Sequence, residues 1–183
     1  CYWLTLLTDR NTLMPTPLYV HLETKTLASN AAAVTFSSIP STSGGAPLRD
    51  LVLVVTGTTS TNKDVETRIN GLSTAIYNSV NMYGDGTYAQ SAALSNQTLL
   101  KIANEARFVS SAESSVVATF FDYAATDKHK SVLARSDSAS LATEAVAGRI
   151  ATTSAITSVE VLTQSGGVYV TGTTFTLYAT VGD

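Results

Sequence analysis

The stretch Thr174-Phe-Thr-Leu-Tyr-Ala179 alternates apolar and polar side chains with a period of two. Successive side chains of a β-strand point to opposite faces of a sheet, so Phe175, Leu177 and Ala179 share one face and the residues between them share the other. An amphipathic helix would instead repeat its apolar residues about every 3.6 positions. The stretch therefore predicts a strand with one buried face, with Phe175 and Leu177 in the core.

The same alternation recurs along the chain in short runs of β-forming residues. Val65, Thr67 and Ile69 share one face of such a run, and Val159 and Val161 share one face of another. Turn residues interrupt these runs about every ten positions, a spacing typical of β-sandwiches. We therefore expect an all-β fold, a jelly-roll-like antiparallel β-sandwich. The turns are Ser43-Gly44-Gly45, Asn70-Gly71, Gly84-Asp85-Gly86, Ser165-Gly166-Gly167 and Thr171-Gly172.

Two runs are apolar on both faces, namely 51–55 (LVLVV) and 116–121 (VVATFF). Such runs suit central strands that are covered on both sides, or strands whose outer face meets another subunit. Asn70-Gly71, between Ile69 and the run 75–77 (AIY), gives the strongest hairpin signal.

One segment competes as a helix. Leu99, Ile102, Ala103 and Ala106 fall at helical spacing, and neither Gly nor Pro interrupts the chain from residue 99 to residue 115. A short helix within this segment remains an alternative to a strand.

Composition excludes several classes of protein. A chain of 183 residues with 44% hydrophobic and 14% charged residues is globular and fits one domain. Its net charge of −3, with no basic run, offers no surface for nucleic acid. The single cysteine, Cys1, excludes an internal disulfide framework. No stretch reaches the ~18 consecutive apolar residues of a membrane helix.

The N-terminal segment is rich in apolar residues and contains Pro15 and Pro17, which favour an extended chain. We expect residues 1–28 to form an arm that pairs with a neighbouring subunit, ahead of a sandwich domain over residues 29–183. The alternative is that the segment adds ordinary strands to its own sandwich.

Residues suited to catalysis are few. His21 alternates with apolar neighbours in a strand-like run, and His129 lies in a polar turn; neither belongs to a ligand-spaced cluster. Asp122 and Asp127 could be imagined as a carboxylate pair for sugar hydrolysis, but a turn-forming aspartate is the ordinary explanation near a strand end. The sequence thus predicts a non-enzymatic protein with no catalytic residue, no metal site and no cofactor.

The tyrosines are consistent with two kinds of binding surface. Tyr77, Tyr83, Tyr88 and Tyr123 could line a sugar platform, or they could lie in subunit interfaces. We favour interfaces, because no cluster of acidic or amide residues accompanies the tyrosines. The predicted interface residues, including apolar residues of the arm, are Trp3, Leu6, Leu7, Leu18, Tyr19, Tyr77, Tyr83 and Tyr88.

Several stretches together resemble a domain common in virion proteins of tailed phages, especially marine and cyanobacterial ones. The resemblance covers roughly residues 34–179, and its motifs are structural. It is clearest over residues 150–162 and 172–178. The stretches are Ser37-Ser-Ile-Pro40, Leu51-Val-Leu-Val-Val55, Arg68-Ile-Asn-Gly71, Asp122-Tyr-Ala-Ala125, Lys130-Ser-Val-Leu-Ala-Arg-Ser136, Ile150-Ala-Thr-Thr-Ser-Ala-Ile-Thr-Ser-Val-Glu-Val-Leu162 and Gly172-Thr-Thr-Phe-Thr-Leu-Tyr178.

The resemblance implies a structural component of a tailed-phage particle. We expect a capsid decoration, or cement, protein on the virion surface that binds the major capsid protein and forms homo-oligomers, with trimers favoured. A tail, baseplate or fibre subunit is the first alternative, with a tail protein as its partner. A carbohydrate-binding module that contacts the host surface is the second. None of these roles requires nucleic acid, a membrane or a cofactor.

Overall fold

The computed structural model describes residues 18–182, and within them the chain forms thirteen β-strands and no helix. The strands are β1 Tyr19–Thr26, β2 Ala33–Phe36, β3 Thr42–Ser43, β4 Ala46–Gly57, β5 Lys63–Ile69, β6 Tyr77–Gly84, β7 Ala89–Gln97, β8 Leu100–Phe108, β9 Ser114–Phe121, β10 Lys130–Asp137, β11 Thr143–Ile150, β12 Val159–Thr163 and β13 Thr174–Val181.

The strands form two antiparallel sheets of unequal size. The larger sheet has nine strands in the order β1-β13-β4-β9-β10-β11-β6-β7, with β3 attached to β4. The smaller sheet has four strands in the order β2-β12-β5-β8. Apolar side chains of both sheets lie buried in one common core. The predicted all-β antiparallel sandwich is confirmed.

Aromatic side chains occupy the centre of the core. The ring of Tyr169 packs edge-on against Phe175 of β13, with 4.9 Å between ring centroids, and against Phe108 of β8 at 6.5 Å. Phe175 and Leu177 are buried, as the alternation of β13 predicts, whereas Thr174 and Thr176 are half-buried on the other face. The period of two therefore assigns the faces of this strand correctly.

The two runs that are apolar on both faces are central strands, as predicted. Strand β4 lies between β13 and β9, and β9 lies between β4 and β10. Their inward residues are fully buried, but on the opposite face Val54 is half-buried and Val117 is exposed. The described part of the chain thus covers only one face of these strands.

The hairpin predicted at Asn70-Gly71 is wrong. Both residues adopt the positive φ that such a turn requires, 50° and 66°, yet β5 belongs to the smaller sheet and β6 to the larger one. The Asn70 side chain accepts hydrogen bonds from the backbone N–H groups of Thr157 (2.8 Å) and Ser158 (3.1 Å). These bonds direct the chain from one sheet to the other.

The helical alternative for residues 99–115 is also wrong, because β8 occupies most of that segment. Its pairing with β5 shifts register twice, between Lys63 and Val65 and between Val65 and Glu66. A bulge inserts residues into one strand and breaks the strict period of two. The irregular ladder accounts for the helix-like spacing of the buried residues, which are Leu100, Ile102, Ala103 and Ala106.

The predicted boundary between arm and domain is wrong, because the C-terminal part of the predicted arm belongs to the sandwich. Strand β1 pairs with β13 along its whole length, and Val20 and Leu22 pack against the core. The pairing continues past the strand, where the Leu27 N–H donates to the Thr173 carbonyl at 3.0 Å. Residues from Tyr19 onward therefore belong to the sandwich, and residues 1–17 lie outside the described residues.

Candidate functional site

The outer face is the face of the nine-stranded sheet that points away from the four-stranded sheet. Four large apolar side chains protrude from it: Val117 on β9, Leu133 on β10, and Val80 and Met82 on β6, with exposed fractions of 36%, 52%, 49% and 59%. We call these four residues the outer stripe. Leu133 pairs with Ala147, which in turn pairs with Val80, so apolar residues run across neighbouring strands.

Strand β6 explains part of this exposure, because its polarity is reversed over Ser79–Met82. Ser79 and Asn81 point inward and are buried, while Val80 and Met82 between and beside them point outward. A strand with one face on the core normally buries its apolar set. The outward apolar residues are therefore a feature of this sheet that core packing does not require.

A buried carboxylate provides a hydrogen-bond partner for Asn81, a polar residue on the inner side of β6. Asn81 donates from Nδ2 to Oε1 of Glu144 on β11 at 2.8 Å. The other oxygen, Oε2, accepts three successive backbone N–H groups of β8, from Asn104 (2.7 Å), Glu105 (2.9 Å) and Ala106 (3.1 Å). Glu144 thus joins the two sheets and accepts the hydrogen bonds of the backbone N–H groups in the irregular part of β8.

Alanines beside the larger side chains make the outer face concave. One depression of about 520 Å³ lies over β10, β11, β6 and β7, with Met82, Ala145, Ser91 and Arg135 among its lining residues. A second, of about 370 Å³, adjoins Val80, Ala93 and Ala147. Both are shallow, and both are lined by a mixture of short and long side chains. Such a surface suits extended contact with a protein.

Strand β7 forms the end of the outer face and is exposed on both sides. In its nine residues, only Leu94 and Gln97 are half-buried, and the other seven are exposed. The smaller sheet ends at β8, which packs against β9, β10, β11 and β6. Strand β7 therefore extends beyond the second layer of the sandwich.

The predicted interface residues do not form one surface. Tyr77 is fully buried: its hydroxyl donates to the Leu72 carbonyl at 2.8 Å and accepts the Ile69 N–H at 3.2 Å. Burial in its own subunit removes Tyr77 from the interface prediction, which is wrong for this residue. Trp3, Leu6 and Leu7 lie outside the described residues.

The remaining predicted interface residues lie at opposite ends of the large sheet. Tyr83, half-buried on β6, and Tyr88, 66% exposed in the turn before β7, lie at the β6–β7 end of the sheet. Leu18 and Tyr19 are exposed at the start of β1, the other edge strand. Sequence reasoning missed the outer stripe, although the apolar residues flanking Asn81 could have suggested a reversed strand.

The histidines and aspartates considered for catalysis lie apart. Exposed His21 is 2.9 Å from the Thr24 hydroxyl, and exposed His129 is 2.9 Å from an Arg149 nitrogen. Asp122 is a turn residue with a φ of 46°, and its carboxylate forms an ion pair with Lys128 at 2.9 Å. Among residues 18–182, no group of three or more His, Cys, Asp or Glu side chains is placed to hold a metal ion.

Shifted pKa values mark packing sites away from the outer stripe. Burial raises the pKa of Tyr123 to about 12, and its hydroxyl donates to the Pro40 carbonyl. Burial also raises the pKa of Tyr169 well above its ordinary value. Burial lowers the pKa of Lys130, whose ammonium group donates to the Ala125 carbonyl. Each of these three groups contacts neighbouring backbone or core, and none of them lies on the outer face.

Comparisons with known proteins identify no family. No protein-family model and no curated protein matches the chain. Among solved structures, the chain is similar to a protein of unknown function from Shewanella oneidensis MR-1, with 11% sequence identity and a TM-score of 0.20, over 96% of this chain and 84% of that chain. A likeness at that level carries no argument. Within the described residues, no helix is long and apolar enough to cross a membrane.

Proposed function

We propose that this chain is a non-enzymatic structural subunit of a tailed-phage virion, and that it decorates the capsid shell by binding through its outer face. Two kinds of observation support the proposal. The sequence resembles virion proteins over most of its length. The described residues expose apolar side chains on one sheet face and include no group of His, Cys, Asp or Glu placed to hold a metal ion.

The reversed polarity of β6 carries the proposal. Val80 and Met82 point to solvent while Ser79 and Asn81 are buried, so this part of β6 exposes its aliphatic side chains and buries its polar ones. Contiguous exposed apolar surface on a soluble fold marks sites of interaction with proteins or other partners. Full burial of an aliphatic side chain contributes about 1.5–3 kcal/mol, so the outer stripe can stabilise a contact that is repeated over a shell.

A tail, baseplate or fibre subunit would use the same surface and would differ only in its position on the particle. A carbohydrate-binding module has less support. Two of the four tyrosines of the conceivable sugar platform, Tyr77 and Tyr123, are buried. Tyr83 is the one platform tyrosine that lines a depression of the outer face, and it is half-buried.

A reconstruction of purified particles of the phage that encodes the chain tests the proposal. We expect many copies on the icosahedral lattice, with the outer face of each copy against the shell or a neighbour. A few copies on one axis would instead support the tail alternative. Absence of the chain from the purified particle would overturn the virion assignment.

A pair of surface variants tests the role of the outer face. Leu133→Glu introduces a charge into the outer stripe, whereas Thr35→Glu introduces the same charge at an exposed position of β2 in the other sheet. Both variants should melt as the unaltered protein does. Only Leu133→Glu should reduce binding to particles stripped of this protein, by about tenfold or more. Equal binding of the two variants would exclude the outer face as the contact.

A further inference from the structure

Strand β7 is an edge strand without the usual protection against pairing. Residues 89–97 (AQSAALSNQ) contain no charged residue and no proline, and both faces of the strand are largely exposed. Natural edge strands are commonly protected by charges, proline, bulges or a covering element, because their free N–H and C=O groups can pair with another strand. Strand β7 has none of these over Ala89–Leu94, where its register with β6 is regular.

Other sheet edges carry such protection. Strand β1, at the opposite end of the same sheet, has a bulge between His21 and Glu23, and Glu23 pairs with Lys25 at 3.4 Å. In the smaller sheet, the Lys25 ammonium group donates to the Thr35 carbonyl on edge strand β2 at 2.7 Å. Edge strand β8 is bulged and tied to Glu144. Among these edges, the segment Ala89–Leu94 of β7 lacks such protection, since the bulge of β7 lies beyond Leu94.

The positions of the hydrogen-bonded residue pairs in the β6–β7 hairpin show which backbone groups of β7 are free. The turn closes with the Asp85 N–H donating to the Tyr88 carbonyl at 3.2 Å. Hydrogen-bonded and non-hydrogen-bonded pairs alternate along an antiparallel ladder. Gln90, Ala92 and Leu94 therefore bond to β6, while the N–H and C=O groups of Ala89, Ser91 and Ala93 point to the free edge.

A second copy of β7 is the strand that fits this edge. Antiparallel pairing about Ser91 would place Ser91 opposite Ser91 of the second copy and Ala89 opposite Ala93. All three free-edge residues would then form hydrogen bonds, and only small side chains would meet on the outer face. Because the strand carries no charge, two identical copies pair without like charges opposite each other.

We propose that two copies of this chain pair through β7 in antiparallel fashion, about a two-fold axis at Ser91, and so join their large sheets into one. A two-fold contact is self-complementary, so a single strand supplies both halves of the interface. The dimer brings the outer stripes of two copies onto one continuous sheet face. It is a property of the purified chain and does not depend on the proposed role in a virion.

Charge variants at Ser91 test the dimer in the full-length chain. Sedimentation velocity should give the unaltered protein a mass of twice 19.2 kDa. Ser91→Lys and Ser91→Glu should each be monomeric, with a dissociation constant raised about tenfold or more, because like charges meet at the axis. An equimolar mixture of the two variants should restore the dimer, because Lys then lies opposite Glu. The Ser91 side chain is exposed, so each variant should keep the melting temperature of its subunit.

Leu133→Lys is the matched control, since it adds the same charge to the outer face away from β7 and should leave the dimer intact. The proposal is overturned if the unaltered chain is monomeric or trimeric, if Ser91→Lys remains dimeric, or if the mixture stays monomeric. Loss of the dimer in Leu133→Lys alone would assign self-association to the outer stripe and overturn edge pairing. A monomeric chain that still binds particles through Leu133 would leave the proposed function standing.

Discussion

Phe175 and Thr176 are neighbours in β13 with opposite environments. The Phe175 ring is fully buried and packs edge-on against Tyr169. The Thr176 hydroxyl lies on the outer face and accepts a hydrogen bond from the Thr24 hydroxyl of β1 at 3.1 Å. One residue therefore contributes through apolar packing and the other through a single surface hydrogen bond.

Truncating these two side chains should give very different losses of stability. Phe175→Ala should lower the free energy of unfolding by about 3–5 kcal/mol, because it leaves a cavity beside Tyr169. Thr176→Ala should cost about 1 kcal/mol or less, since it removes one surface hydrogen bond. Urea unfolding followed by circular dichroism measures both values. Equal losses would contradict the assignment of the two faces.

Tyr123 should make the fold sensitive to alkaline pH. Its pKa in the folded chain is about 12, against an ordinary value of 10.0. Stability that depends on a neutral Tyr123 is fully present below pH 10 and is lost as the pH rises through about 12. The urea midpoint should therefore fall less steeply between these pH values in Tyr123→Phe than in the unaltered chain. Parallel curves for the two proteins would refute this role of Tyr123.

At the scale of elements, β6, β8 and β11 depend on one another. Strand β6 buries Asn81, β8 presents three successive N–H groups, and Glu144 on β11 accepts hydrogen bonds from both. The carboxyl group satisfies four donors through its two oxygens, one at Oε1 and three at Oε2. The reversed polarity of β6 and the irregular ladder of β8 are thus tolerated together.

Replacing that carboxylate by an amide should weaken the contact between the sheets. Glu144→Gln puts an NH₂ donor where one acceptor oxygen lay, so at least one buried donor loses its partner, at a cost of about 1–3 kcal/mol. Glu160→Gln is the control, since Glu160 is half-buried and pairs with Arg68 at 3.0 Å. It should cost about 1 kcal/mol or less. Similar unfolding curves for both variants would show that Glu144 does not join the sheets.

At the scale of the whole molecule, the two layers differ in width. The smaller sheet covers the part of the larger sheet that holds the core, while β7 extends beyond it at one end and β1 closes it at the other. The sandwich therefore has a packed body and one edge strand, β7, that projects from it. The domain starts within the segment that the sequence assigned to an arm.

Truncation tests where the domain begins. Deletion of residues 1–28 removes β1, uncovers the edge of β13 and takes Val20 and Leu22 from the core. We expect a clearly lower melting temperature or failure to fold. Deletion of residues 1–17 keeps every described strand and is the comparison, below whose melting temperature the larger deletion should fall. If the shorter protein that begins at Ser29 melts like the full chain, β1 is dispensable and the original arm boundary stands.

The candidate site was less predictable from the sequence than the core was. The sequence predicts both Tyr88 and Tyr77 as interface residues, but Tyr88 is exposed whereas Tyr77 is buried. Both are tyrosines in β-forming surroundings, so local composition does not separate them. The sequence does not reveal the outer stripe, because an exposed Val80 cannot be distinguished from a buried one until the register of β6 is known.

The sequence by itself determined the fold class, the face of β13 that is buried and the central place of the runs 51–55 and 116–121. Those properties follow from side-chain periodicity and hydrophobicity, which are local. Only the tertiary structure decided that β5 and β6 join different sheets, that β8 is a strand and that β7 is a free edge. Strand pairing and register arise from contacts between residues distant in the chain. The turn at Asn70-Gly71 has the right local geometry for a hairpin, yet tertiary packing determines which strands pair.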